Sequence, residues 1–123
     1  MATLGSPHEE ETVTDPVQQQ IEAYNSRDLD RFVNAYAEDA VIEDGEGNVV
    51  AQGLNGIRDL YGELFSRSPR LHGEVLNRIA LDEYVIDEER VTGIEIEGSP
   101  SEVHAAVVYR VVEGKIAHVR LLG

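Results

Sequence analysis

The chain lacks cysteine and tryptophan, has only two phenylalanines, and has a single lysine, Lys115. Without cysteine there are no disulfides, no thiolate metal ligands and no cysteine nucleophile. No run of about 18 apolar residues occurs, so no membrane-spanning helix is expected. Met1 to Pro7 carries neither the basic nor the apolar region of a leader, and together these absences predict a cytoplasmic protein with no membrane partner. Bases are also scarce. Ten of them against 24 acids leave a formal charge of −14, and a field of that sign repels phosphate backbones, which argues against a nucleic acid partner. The sequence has no phosphate-cradling P-loop, dinucleotide fingerprint, G-x-S-x-G elbow or H-E-x-x-H pair, so neither a cofactor nor a metal is predicted.

The 123 residues fit one domain, and 41% hydrophobic content is enough to build one core. Residues 1–14, with Gly5, Pro7 and the Glu9-Glu10-Glu11 triplet, predict a disordered acidic tail. The domain is then expected over 15–123. Asp15 before Pro16 reads as an N-cap with proline at the first helical position, and Val17, Ile21 and Tyr24 follow on one face. Asp28 can cap a second helix whose Leu29, Phe32, Val33 and Tyr36 keep the helical spacing. Ala40-Val41-Ile42 and Val49-Val50-Ala51 flank Gly45-Glu46-Gly47-Asn48 as a hairpin, and Ile57, Leu60, Tyr61, Leu64 and Phe65 mark a third helix. From Leu71 onward the pattern is strand-like, with strands near 71–81, 84–92, 102–112 and 115–122. Their turns fall at Asp82-Glu83 and Glu113-Gly114, with a looser loop at Gly98-Ser99-Pro100.

Helices first and antiparallel strands afterwards predict an α+β fold, three helices covering one face of a curved sheet. On the third long strand Val103, Ala105, Val107, Tyr109 and Val111 share one face, and His104, Ala106, Val108, Arg110 and Val112 the other. Both faces carry apolar residues. A homodimer through the face away from the helices is therefore expected.

The run Asn25-Ser26-Arg27-Asp28-Leu29-Asp30, then Tyr36-Ala37-Glu38-Asp39-Ala40, Val41-Ile42-Glu43-Asp44, Gly53 and Ile57-Arg58-Asp59-Leu60-Tyr61, resembles the ketosteroid isomerases. These belong to the nuclear transport factor 2-like superfamily, which also holds polyketide cyclases of the SnoaL type. Tyr109-Arg110-Val111 and the closing hairpin from Gly114 to Leu122 extend the resemblance. It implies a cone-shaped, cystatin-like barrel with a pocket between the helices and the concave sheet.

The resemblance puts Asp44 where the isomerases keep the carboxylate that moves a proton between carbons beside a carbonyl, and Tyr61 where an aromatic lines the pocket. A carboxylate short of water is the better base for that task. Asp44 also precedes Gly45, where a carboxylate commonly satisfies the backbone N–H groups of a turn. The isomerases' two oxyanion donors, a tyrosine and a protonated aspartic acid, correspond here to Gln20 and Val107. Valine donates nothing, so steroid isomerisation itself is not carried over.

His72 and Glu74, at i and i+2 on one strand face, are two ligands and not a site, and His104 and His118 read as structural or surface histidines. Arg78, Arg110 and Arg120 read as partners of the many acids in ion pairs on the sheet surface, in preference to binding an anion. The expected function is a pocket for a small apolar molecule, with cofactor-free isomerisation, cyclisation or hydrolysis using Asp44 as base. Gln20, Tyr24, Tyr61, Val107, Tyr109 and Val119 would contact the ligand. The alternative is a non-catalytic ligand-binding or dimeric association domain, which fold alone does not separate from an enzyme.

Overall fold

A computed structural model describes residues 7–123, with side chains from residue 13 onward. Residues 1–6 of the expected tail lie outside the described residues. The chain runs α1 (Pro7–Ser26), α2 (Leu29–Asn34), β1 (Tyr36–Asp44), β2 (Val49–Gln52), α3 (Gly53–Arg67), β3 (His72–Leu81), β4 (Tyr84–Thr92), β5 (Val103–Val112) and β6 (Lys115–Leu122).

Two expectations about the helices need correction. Helix α1 starts at Pro7 and not at Asp15, so part of the expected tail is helical and Pro16 lies inside the helix. Proline there forfeits one intrahelical bond. The apolar stripe nevertheless continues across it, because Val13 packs against the same core as Val17. Tyr36, assigned by spacing to the second helix, instead opens β1. Asp28 caps α2 through the Arg31 N–H at 3.2 Å, and Ala35 closes it with its own N–H on Phe32. The Ile116 N–H then bonds the Ala35 carbonyl at 2.9 Å, and Tyr36 pairs with Ile116. Sheet pairing with a strand far along the chain outweighs the local helical spacing.

One six-stranded sheet has the order β2-β1-β6-β5-β4-β3. All neighbours are antiparallel except β1 and β6. Its inner face carries Val85 on β4, Val107, Tyr109 and Val111 on β5, and Val119 on β6, all buried with Phe32, Ile57 and Phe65 of the helices. Phe32 is the hub of an aromatic cluster, with ring centroids 4.5 Å from Tyr61, 5.3 Å from Tyr36 and 5.5 Å from Phe65. The opposite face of β5 exposes His104, Arg110 and Val112, the alternation expected from the sequence. The outer face also exposes Ile79, Leu81, Tyr84 and Leu122. The end of α1 is pinned to β3 by Asn25, whose amide donates to the Gly73 carbonyl at 3.0 Å and accepts from the Gly73 N–H at 2.7 Å.

Candidate functional site

A cavity of about 910 Å³ opens between α1, α3, the inner face of β4–β6 and the loop after β4. Gln20, Tyr24, Asp44, Tyr61, Val107, Tyr109 and Val119 all line it. Its walls are mostly apolar, with Leu60, Leu64, Val91, Ile94 and Val103 among them, the usual make-up of a site for a small organic molecule.

The polar groups gather on the inner sheet face. Gln20, from α1, donates its amide N–H to the Tyr109 hydroxyl at 3.0 Å, and that hydroxyl donates to Glu89 Oε2 at 2.9 Å. All three residues are buried. Glu89 Oε1 accepts no hydrogen bond among the described residues, and Glu89 lines the cavity. Burial pushes the Glu89 carboxyl up to about 7. The Tyr109 hydrogen bond opposes the rise, Asp87 adds to it and Arg78 opposes it. Asp87, two residues away on the same strand face, is fully buried and held bidentately by Arg78, Nε to Oδ1 at 2.7 Å and Nη2 to Oδ2 at 2.9 Å. Burial also holds the phenols of Tyr24, Tyr36, Tyr61 and Tyr109 well above their ordinary range, so they remain neutral hydrogen-bonding groups.

Asp44 sits at the rim with its oxygens already engaged. Oδ1 accepts the backbone N–H groups of Glu46 and Asn48, each at 2.9 Å, and Oδ2 accepts the Asn48 side-chain amide at 3.2 Å. The Asn48 backbone bond is the main reason its carboxyl lies below the ordinary range. In this arrangement Asp44 closes the turn between β1 and β2.

The sequence reading missed Glu89, because Asp87-Glu88-Glu89-Arg90 reads as a solvated charge run. A signal existed. Val85, Asp87, Glu89 and Val91 alternate on one face of β4, and the register sets them opposite Tyr109, Val107, Ala105 and Val103, the apolar phase of β5.

Further ion pairs lie on the outer face of the sheet. His104 pairs with Glu88 at 2.7 Å, and Glu43 accepts from His118 at 2.9 Å and Arg120 at 2.8 Å. Arg110 pairs with Glu83 at 2.6 Å. Among the described residues no group of three or more His, Asp or Glu is arranged to hold a metal ion. No described helix is long and apolar enough to cross a membrane.

The Glu89 value has a consequence for stability. Its folded-state pKa of about 7 exceeds the ordinary 4.5, so between those values the native state holds a proton that the unfolded chain has released. Native stability therefore falls as pH rises through this window, by about 3 kcal/mol in total. Glu89→Gln should remove that loss. Urea midpoints are expected to favour the variant at pH 8 and to converge with wild type near pH 4; an unchanged pH slope would contradict the assignment.

The sequence model of the SnoaL-like domain matches residues 17–119. The chain belongs to the SnoaL-like family. No curated protein matches this SnoaL-like chain. Among solved structures it is similar to an uncharacterised cystatin-fold protein from Novosphingobium aromaticivorans, at 29% identity over 90% of this chain and 97% of that one, with a TM-score of 0.82. A candidate polyketide cyclase from Sinorhizobium meliloti is 24% identical over 87% of this chain and 93% of that one, with a TM-score of 0.73. A Mycobacterium tuberculosis protein in complex with estradiol-17beta-hemisuccinate is 16% identical over 89% and 92%, with a TM-score of 0.75. The last two likenesses establish shared fold. The α+β cone expected from the sequence is the fold of these SnoaL-like, ketosteroid isomerase-like and nuclear transport factor 2-like proteins.

Proposed function

We propose that this SnoaL-like chain receives a small, largely apolar molecule in the cavity and moves a proton on it without a cofactor, with Glu89 as the base. The observation that carries this reading is the Glu89 carboxyl, buried in an apolar hollow with one oxygen unengaged and a pKa of about 7. A base poised near neutrality combines the ionised state with appreciable driving force for proton transfer. Asp44, the base that the resemblance implies, is the weaker candidate because all three of its hydrogen bonds stabilise the charged form.

In such a step Glu89 takes a proton from a carbon beside a carbonyl, the C–H electron pair moves into an enolate, and the carboxylic acid returns the proton to a second carbon. The developing oxyanion needs donors. Gln20 already donates to Tyr109, whereas the hydroxyls of Tyr36 and Tyr61 donate no hydrogen bond among the described residues and both line the cavity. That the Mycobacterium tuberculosis protein of this fold holds an estradiol ester supports a ligand of up to steroid size.

A thermal-shift screen with small ketones, lactones and steroids is the test, since a ligand selective for the native state raises its melting temperature by mass action. A hit should shift wild type, Asp44→Asn and Glu89→Gln alike. Turnover of that hit should fall about a hundredfold or more in Glu89→Gln and stay within about threefold in Asp44→Asn. Turnover lost in Asp44→Asn and retained in Glu89→Gln would return the base to Asp44. Binding without turnover in any variant would leave a ligand-binding domain.

The outer face carries a second part of the proposal. Ile79, Leu81, Tyr84 and Leu122 are 58%, 60%, 41% and 38% exposed on that face, and we assign a second copy of the chain to cover them. Light scattering should give twice the chain mass at micromolar concentration; a monodisperse monomer would refute this.

A further inference from the structure

We infer that the cavity also takes an organic ammonium as a non-reacting ligand, seated between the free oxygen of Glu89 and the tyrosines of the cavity; this rests on the pocket reading above. Such a ligand occupies the oxygen that would accept the proton and so excludes the substrate.

Three observations converge. First, the ionisable side chains on the cavity lining other than the phenols are Asp44, Glu46, Glu63 and Glu89, with no lysine, arginine or histidine among them. An anionic ligand would meet only like charge there. Second, the buried hydrogen-bond chain has a direction. Gln20 donates to Tyr109 and Tyr109 donates to Glu89 Oε2, so in the ionised carboxylate the other oxygen, Oε1, is left as an acceptor with no partner among the described residues. A ligand group that completes it brings a donor. Third, Glu89 lacks a counter-ion of its own. The nearby guanidinium of Arg78 is spent on Asp87 through two bonds, at 2.7 and 2.9 Å, and the pair they form is neutral as a unit. A carboxylate taken out of water without a cation is costly, and a ligand ammonium cancels that cost. Tyr24, Tyr36 and Tyr61 line the same hollow, and phenol faces attract cations as well as hydrocarbon.

The experiment uses one hydrocarbon body with three heads: aminoadamantane, adamantanol and adamantane carboxylate, titrated calorimetrically into the wild-type protein at neutral pH. The amine should bind about tenfold or more tighter than the alcohol, and the carboxylate about tenfold or more weaker than the alcohol. In Glu89→Gln the amine and the alcohol should come within about threefold of each other. An alcohol that equals the amine in wild type overturns the inference, as does an amine advantage that persists in a folded Glu89→Gln. If that variant does not fold, the wild-type ranking decides alone. Failure here is separable from failure of the pocket itself. Equal binding of amine and alcohol removes only the ammonium, whereas no binding by any of the three, together with no hit among ketones, lactones and steroids, removes the pocket reading too.

Discussion

Arg78→Leu should cost about 3 to 5 kcal/mol of stability, because it strands a carboxylate that has no access to water. Asp87 is 0% exposed and both its oxygens are engaged by Arg78. Arg78 also donates to Gln18 at 2.9 Å and so ties α1 to the sheet. The decisive comparison is the double variant Arg78→Leu/Asp87→Leu. A buried pair replaced by apolar groups of similar volume is often close to neutral, so the double variant should recover most of what the single one loses. Urea denaturation at pH 7 measures both. A loss below about 1 kcal/mol for Arg78→Leu would mean that the pair behaves like an exposed salt bridge and that Asp87 finds other solvation. The result bears on the site as well as the fold, since this pair occupies the guanidinium that Glu89 would otherwise use.

Gly93→Ala is expected to be comparably severe, for steric reasons. Gly93 has φ +78, a left-handed conformation that costs a side-chain residue about 1 to 2 kcal/mol. The added Cβ would also lie 2.1 Å from the Arg70 carbonyl oxygen and 2.5 Å from its carbon. That neighbouring backbone has little room to yield. Ser68 and Leu71 are almost fully buried, the Leu71 N–H bonds the Ser68 carbonyl at 3.1 Å, and Arg27 donates to the Leu71 carbonyl at 3.0 Å. The combined loss should exceed about 3 kcal/mol, read as a drop in melting temperature. A fall of only a few degrees would mean that the 68–71 segment moves aside at little cost. Gly93 also opens the loop carrying Ile94, Ile96, Ser99 and Pro100 over the cavity, so a variant that survives should bind ligand less well.

The sheet is largely legible in the sequence, and particular residues explain why. Strands β3 to β6 announce themselves by alternation and by their turns. At Glu113-Gly114 both residues have positive φ, 52 and 78, a geometry suited to a tight hairpin. The apolar wall of the cavity is legible for the same reason, since Val107 and Tyr109 fall on the phase that must face the helices. The polar site is not legible. Asp44 stands out through resemblance, yet its turn consumes its oxygens. Glu89 lies in an acidic run, and only the curl of the sheet against α1 removes it from water. The helix errors have separate origins. Proline predicts a start at Pro16, and spacing predicts helix at Tyr36. Val13 continues the stripe of Val17 and Ile21 at helical spacing, a signal that the proline outweighs, whereas the pairing of Tyr36 with Ile116 is a tertiary effect that no local window contains.

Strand β1 lies between β2 and β6, and its contact with β6 joins residues such as Glu43 and Arg120, 77 positions apart along the chain. Such remote closure is slow, because the entropy of a long loop is lost before the contact repays it. During synthesis the early helices and hairpin would therefore wait, greasy faces uncovered, until the final strand left the ribosome. Chaperone dependence should fall on that nascent interval more than on the finished molecule.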